Sequence, residues 1–288
     1  MTRRHEGVAL VAILLGILLL SIIVGGVVGL TRTENKLLEF EEADARSNAS
    51  VDAALTTIVK RLSESDPPQQ SRLSDRSRIN ARGESPVTAF IEFESGRIDL
   101  NAADDELLRA LFESAGASNE DARRWVAELR DWQDADDERR IDGAEARDYR
   151  SEGLPYGPRN GKLKSVPELS LLAGMPDTIV QCILDRATVY TQEAAPDLIH
   201  LGPGAQRAWT RYLANQNKEV PMPSQAGETT HAASGQVLRL HLIIQSSENI
   251  ETRWAIVGRL TGDNRDPWKT LARFREGPQN VASGCDRQ

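Results

Sequence analysis

The sequence predicts an α+β protein: a long N-terminal helix packed on a small antiparallel sheet, with an all-α helical-hairpin domain inserted between the strands. Three observations predict it. Val8 to Leu30, VALVAILLGILLLSIIVGGVVGL, holds no charged residue over 23 positions, and at ~1.5 Å rise per residue such a helix crosses a hydrocarbon core ~30 Å thick. From Ile98 to about Tyr190 the apolar residues recur at helical spacing between capping residues and glycines. Beyond Gln236 the pattern changes to the two-residue alternation of strands.

Ahead of the apolar block stand seven residues, MTRRHEG. A secretory cleavage site lies after the apolar region, whereas here the small residue, Gly7, comes before it. Three readings compete: a signal-anchor helix, a cleaved signal peptide, and a leader cut after Gly7 that leaves Val8 as the first residue. The third demands that the helix run on outside the membrane. Thr31 to Leu62 meets that demand, with Leu37, Leu38, Phe40, Ala43, Ala54, Leu55, Ile58, Val59 and Leu62 forming a broken apolar stripe among charged residues, and no proline before Pro67. One helix over 8–62 is implied, with 8–30 in the membrane and 31–62 in the periplasm.

A short basic leader ending in glycine, a retained apolar block and an amphipathic continuation resemble the start of type IV prepilins and type II secretion pseudopilins. Most of that class carry Glu at the fifth mature position. Counted from Val8, that position holds Ala12, and the minor pseudopilin K of type II secretion is the member that lacks the glutamate.

The net charge of -8 argues against a nucleic-acid binder, which needs a basic footprint. Arg3 and Arg4 precede the apolar block, the side retained in the cytoplasm, so the bulk of the chain is read as periplasmic. Cys182 and Cys285 are compatible with one disulfide in an oxidising compartment without demanding it. The apolar run IVQCIL favours a buried free thiol at Cys182, with Cys285 in a polar tail. The four histidines, His5, His200, His231 and His241, have no zinc-site spacing.

Residues 63–97 read as a polar loop broken by Pro67, Pro68, Gly83 and Pro86, then a first strand over Val87 to Phe93 closed by Gly96. The inserted domain is placed at 98–217. Asn101 is expected to cap a helix over AADDELLRALFESAG, with acidic residues in its first turn and Gly116 as its stop. Ser118 or Asn119 caps a second, with Ala122, Trp125, Val126 and Leu129 on one face. The segment IDLNAADDELLRAL also resembles the opening of helix-hairpin-helix modules, which bind the DNA backbone. The turn here, ESAGASNED, is acidic where phosphate contact needs a basic residue or free backbone N–H groups.

The segment from Asp131 to Asp148 holds Asp131, Asp134, Asp136, Asp137, Glu138, Asp142, Glu145 and Asp148, eight carboxylates within eighteen residues. Runs of this kind usually form solvated loops. Spacing points to a hard cation: Asp134, Asp136, Glu138 and Glu145 occupy positions 1, 3, 5 and 12 of a calcium loop, although Arg139 stands where an EF-hand needs glycine. The rival explanation pairs the carboxylates with Arg139, Arg140 and Arg147, and exposed pairs contribute about 0–1 kcal/mol each.

DW-x-D-A-D-D, then GAE, Asp148-Tyr149, Pro155-Tyr156 with Asn160, S-V-x-E-L and A-G-M together resemble the helical insert of the K pseudopilins. That resemblance implies a pilin-like sheet carrying an α-helical insertion, and bound calcium, which falls on Asp134, Asp136, Glu145 and Asp148 with Asp131 in reserve. It implies cleavage after Gly7 by a prepilin peptidase, N-methylation of Val8, and assembly with the minor pseudopilins I and J at a filament tip built from an inner-membrane platform. A physical argument agrees with the tip. The fifth-position glutamate is thought to neutralise the ammonium of the adjacent subunit inside an apolar bundle, where a lone charge is costly, and a terminal subunit with Ala12 has none to satisfy.

Ser165 is expected to cap a short helix ending at Gly174, and Pro176 or Asp177 to begin another that turns Ile179, Val180, Ile183 and Leu184 inward. The family commonly continues with a second Asn-x-Asn-Thr-Ala hairpin. This chain has AAPDLIHLGPGAQRAWTRYLANQ instead, with a helix expected over Ala205 to Leu213. Residues 218–288 begin as a linker and end as a three-stranded antiparallel meander, QVLRLHLIIQSS, TRWAIVGRLTG and DPWKTLARFRE, with His241 on its polar face. Two functions from other classes compete with the pseudopilin: a signal-anchored periplasmic enzyme, for which no G-x-S-x-G, H-E-x-x-H or P-loop is present, and a DNA-uptake protein.

Overall fold

The structure, a computed structural model, describes residues 6–64, 77–79, 87–218, 234–245, 251–263, 265–277 and 285, and within the first helix the side chains of 13–22 and 41–63. The chain forms two compact units, 1–53 and 54–288. One helix, α1 (Glu6–Glu64), begins in the first unit and ends in the second.

In the first unit the apolar side chains from Ile13 to Ile22 stand exposed around the whole helix, Leu20 at 64%. Such an all-round apolar helix is made for a non-aqueous or packed surrounding. Among the described residues no helix is long and apolar enough to cross a membrane. Gly7 and Val8 lie in the helical backbone of α1, but the roles read for Gly7, Val8 and Ala12 rest on side chains outside the described residues. In the second unit the last turns of α1 bury Ala54, Ile58, Val59 and Leu62, the stripe that helical spacing anticipates, while Arg61 in the last turn complements the helix dipole.

The sheet is five-stranded and antiparallel, in the order β1 (Ser77–Ile79), β2 (Val87–Phe93), β5 (Val237–Gln245), β6 (Glu251–Leu260), β7 (Trp268–Glu276). It therefore has one strand more than the sequence suggests, because Ser77–Ile79, read as loop, pairs with β2. Register puts Val87, Ala89 and Ile91 beside Leu240, Leu242 and Ile244 on one face, all buried. The other face carries Phe90, Glu92, Arg239, His241 and Glu276 by the same alternation. A bulge at Val257/Gly258 accommodates Trp268: a Cβ on Gly258 would lie 2.3 Å from its indole.

Between β2 and β5 runs the helical insert: α2 (Asp105–Ser114), α3 (Asn119–Gln133), α4 (Ala146–Ser151), a 3-10 turn at Val166–Leu171, α5 (Asp177–Ile183) and α6 (Pro203–Asn215). Its neck is a two-residue parallel bridge of β3 (Ile98–Asp99) with β4 (Ala187–Thr188), which no local pattern signals. The insert packs its own core, with Leu107, Leu108, Leu111, Phe112, Leu129, Tyr149, Leu169 and Ile183 essentially sealed from water.

Three local expectations are corrected. Asp104, not Asn101, caps α2, accepting from Leu107 N–H at 2.8 Å. Asn101 is drawn away because its amide spans a tertiary gap: its Oδ1 accepts from Leu163 N–H at 2.9 Å and Gln133 Nε2 at 3.1 Å, and its Nδ2 donates to the Leu163 carbonyl at 3.0 Å. Ser165 makes no side-chain cap, and the helix expected there is a 3-10 turn. Cys182 is not a free thiol. It forms a disulfide with Cys285, 103 residues away, with Cα atoms 5.6 Å apart. On α5 only Val180 and Ile183 are turned fully inward, and Cys182, next to Ile183, falls at the half-buried edge of that stripe, open to the tail. Arg186 donates to the Cys285 carbonyl at 3.3 Å.

Candidate metal centre

The acidic segment begins at the end of α3. Its inward stripe of Trp125, Glu128, Leu129 and Trp132 takes Asp131 with it, wholly buried. Asp134 ends the helix, its N–H donating to the Arg130 carbonyl at 3.0 Å. The chain then loops out to Ile141, 90% exposed, turns at Asp142 with φ of 65° and passes Gly143. A Cβ at Gly143 would lie 2.0 Å from Asp131 Oδ2, so glycine is required here for close approach to a buried carboxylate. Glu145 follows, 4% exposed, at the start of α4, its backbone N–H donating to Asp148 Oδ2 at 2.9 Å.

Asp131, Asp134 and Glu145 are electrostatically coupled. Burial pushes the Glu145 carboxyl up to about 7, with the negative charges of Asp131, Asp134 and Asp137 adding to the rise. Both Glu145 oxygens and Asp134 Oδ1 are buried without a hydrogen-bond partner. Arg140 reaches back into the cluster: its Nη1 donates to Asp131 Oδ1 at 2.8 Å and also to Asp134 Oδ2, and its backbone N–H donates to Asp131 Oδ2 at 3.2 Å.

Of the residues singled out from spacing, Asp134 and Glu145 feel one another's charge, as does Asp131, which the sequence held in reserve. Asp136 accepts from the Glu138 N–H at 2.9 Å in its own turn, on the surface. Asp148 is engaged by the Glu145 N–H at 2.9 Å and Arg139 at 3.4 Å. Among the described residues no group of three His, Cys, Asp or Glu side chains is disposed as a metal site, and Arg140 is what holds two of the three carboxylates. Carboxylate oxygens are the donor type a hard cation takes, but these three are not disposed around a common position. Asp131, held in reserve from the sequence, is in step with the buried face of α3, and Gly143 is the lone glycine of the segment.

A second charged cluster lies on the sheet. His241, 5% exposed, stacks on Phe90 with centroids 4.3 Å apart and pairs through Nδ1 with Glu276 at 2.9 Å and through Nε2 with Glu92 at 3.4 Å. Burial alone would lower its pKa, but the bonds to Glu276 and Glu92 raise it above the ordinary value. Glu92, also paired with Arg97 at 2.7 Å, is held well below the carboxylate range by His241 and Arg97 against the opposing effect of burial. Buried Glu94 is bonded by Arg239, which ties the insert's neck to β5. These pairs are structural. Two surface depressions, of about 450 and 260 Å³, are lined by residues that include Arg109, Glu113 and Arg211 in one and Ser95, Thr191 and Arg259 in the other. Neither is lined by the acidic cluster.

Residues 89–192 match the family model of type II secretion system (T2SS), protein K. The type II secretion system protein K of Klebsiella pneumoniae is 26% identical over 206 residues, 64% of this chain and 62% of that relative. The chain thus spans about three fifths of that relative's length. Among solved structures, the crystal structure of the GspK-GspI-GspJ complex from the enterotoxigenic Escherichia coli type 2 secretion system aligns with a TM-score of 0.62 at 14% identity, over 84% of this chain and 100% of the matched chain. At that identity the likeness speaks for the fold, a mixed helix and antiparallel-sheet architecture. Residues 89–192, which run from the first long strand through the insert to its closing bridge, are thus similar to the type II secretion system protein K family.

Proposed function

We propose that this chain is a minor pseudopilin, anchored in the inner membrane by α1 with its second unit in the periplasm, and that it caps a pseudopilus together with the minor pseudopilins I and J. The observation that carries the reading is the protein K match over 89–192, on a chain whose fold aligns with the GspK-GspI-GspJ structure. The all-round apolar surface of α1 at Ile13–Ile22 suits lipid before assembly and a helical bundle afterwards. The Cys182–Cys285 disulfide suits an oxidising compartment. Ala12 in place of a carboxylate suits a subunit with none above it. The role is assembly and recognition, not catalysis. By the same reading a prepilin peptidase cleaves after Gly7 and methylates Val8, and an inner-membrane platform drives assembly.

The acidic cluster is read as a calcium site built on Asp131, Asp134 and Glu145, with Asp136 and Asp148 shaping its rim. When bound, the ion supplies charge neutralisation and cross-links α3 to α4. The unpartnered, buried Glu145 carboxylate supports it.

The test is co-expression of the full-length chain with its cognate I and J subunits and prepilin peptidase, followed by detergent extraction and intact-mass measurement. A mature mass lacking the seven-residue leader, co-purifying with I and J, is expected. A full-length mass, or failure to co-purify with processed I and J, refutes the reading.

A further inference from the structure

We propose that the larger surface depression, at the seam of α2 and α6 in the helical insert, is a socket for a carboxylate carried by a partner protein. It has a volume of about 450 Å³ and is lined by Arg109 and Glu113 of α2, Arg211 and Asn215 of α6, and Ala117 and Asn119 where the chain enters α3. That volume falls among ligand-holding clefts, roughly 300–1,000 Å³, most of which are apolar. Here the lining is charged and polar, so the group that fits it is charged as well.

The character of the socket follows from where its one carboxylate is spent. Arg109 and Glu113 stand one helical turn apart on α2, the spacing at which opposite charges pair along a helix. Glu113 is engaged elsewhere: its Oε2 meets Arg211 Nε at 2.9 Å, and its Oε1 accepts from Asn119 Nδ2 at 2.8 Å. Arg109 turns to Glu106 through Nη2, and its Nε is buried without a hydrogen-bond partner. A buried N–H that finds no acceptor is costly. Arg211 carries five N–H donors against the single Glu113 oxygen it meets, and with its side chain 50% exposed they are open to a group arriving from solvent.

Donors therefore outnumber acceptors, and two cations line the depression against one carboxylate, on a chain whose net charge is -8. The second depression has the opposite balance, Glu193 and Asp197 against Arg259. A carboxylate is the complement of the first. It accepts only, its two oxygens match a guanidinium fork, and charge-assisted bonds of this kind are the strong ones. It would supply the acceptor that Arg109 Nε lacks and offset the excess positive charge. Its source is an Asp or Glu side chain or a chain terminus, which present the same chemistry. The socket uses none of the residues of the acidic segment and is independent of the assembly role proposed above.

The experiment follows the arginine Nε–H resonances of full-length protein in detergent, carrying isotope-labelled arginine, as peptides are added. The resonance missing from Arg109→Gln identifies Arg109. Acetyl-Gly-Glu-Gly-amide offers only a side-chain carboxylate, acetyl-Gly-Gly-Gly with a free terminus only a main-chain one, and acetyl-Gly-Gln-Gly-amide neither. A saturable shift of Arg109 with a carboxylate peptide, weakened by sodium chloride and absent with the glutamine peptide, is expected, and the tighter of the two carboxylate peptides names the source. Arg211→Gln should weaken that binding about tenfold or more, through loss of a charged donor. Absence of a saturable shift with both carboxylate peptides, an equal response to the glutamine peptide, or unchanged binding by R211Q overturns the proposal. So does a response to sodium phosphate as tight as that to the peptides, which would make the depression a general anion site. Should R211Q fail to fold, Arg211→Lys replaces it: an ammonium lacks the planar fork, so weaker binding is again expected and unchanged binding refutes the socket.

Discussion

Breaking the Cys182–Cys285 disulfide is the perturbation with the largest calculable consequence. The bond closes a loop of 103 residues that contains β4, α6 and the strands β5 to β7. In the chain-entropy description, a loop of that length removes about 16 cal/mol/K from the unfolded ensemble, about 4.7 kcal/mol at 25 °C. Measured disulfides commonly deliver about 2–4 kcal/mol, and for a unit of this size each kcal/mol moves Tm by about 2–4 °C. A fall of about 10 °C is expected for the Cys182→Ser, Cys285→Ser double variant, and a comparable one for wild type with a phosphine reductant. The assay is differential scanning calorimetry of the full-length protein in detergent, with intact mass confirming the loss of the bond. A fall below about 2 °C would show that the tail at Cys285 is not tied to α5 in the folded protein, and the entropic argument would fail with it.

The sheet cluster makes stability depend on pH with a definite sign. His241 has a raised pKa in the folded state, so its contribution is complete below about 6.5 and is lost as pH climbs through the folded value. Glu92 and Glu276 are lowered, so theirs is complete above about 4.3 and is lost as pH falls. Tm against pH for His241→Gln should therefore lie below wild type at pH 6 and converge with it toward pH 9. The comparison isolates His241, because the raised carboxyls of Glu128 and Glu145 tilt both curves alike; parallel curves would remove the imidazole from the account. Asn101→Ala should cost about 2–3 kcal/mol by stranding the Leu163 N–H and the Gln133 amide. Chemical denaturation measures this, and a loss under about 0.5 kcal/mol would mean that water replaces the side chain.

The acidic segment divides what spacing shows from what it hides. Asp134 and Glu145, eleven apart, were legible as possible neighbours, and in the structure the charge of Asp134 is felt at Glu145 without the two joining a group disposed to hold a metal. Asp131 was legible only as a reserve: its burial follows from the face of α3, and its importance from Gly143 pressing against it. Arg140 was legible as one arginine among three. Which arginine bridges which carboxylates depends on how the loop folds back, and no one-dimensional spacing carries that.

The sequence by itself determined the elements whose physics is local. The apolar run, the broken helical stripe to Leu62, the cap at Ser118, the glycine stop at Gly116 and the alternation of the last three strands each follow from side chains a few residues apart. Only the tertiary structure decided the pairings across distance: β1 joined to β2, the β3–β4 bridge that closes the insert, Asn101 spent on Leu163 instead of a helix cap, and Cys182 bonded to Cys285. The reason is the same in each case. A donor, an acceptor or a thiol has several competent partners in the chain, and which one it takes is settled by where packing brings the backbone, which is a property of the whole unit and not of any window within it.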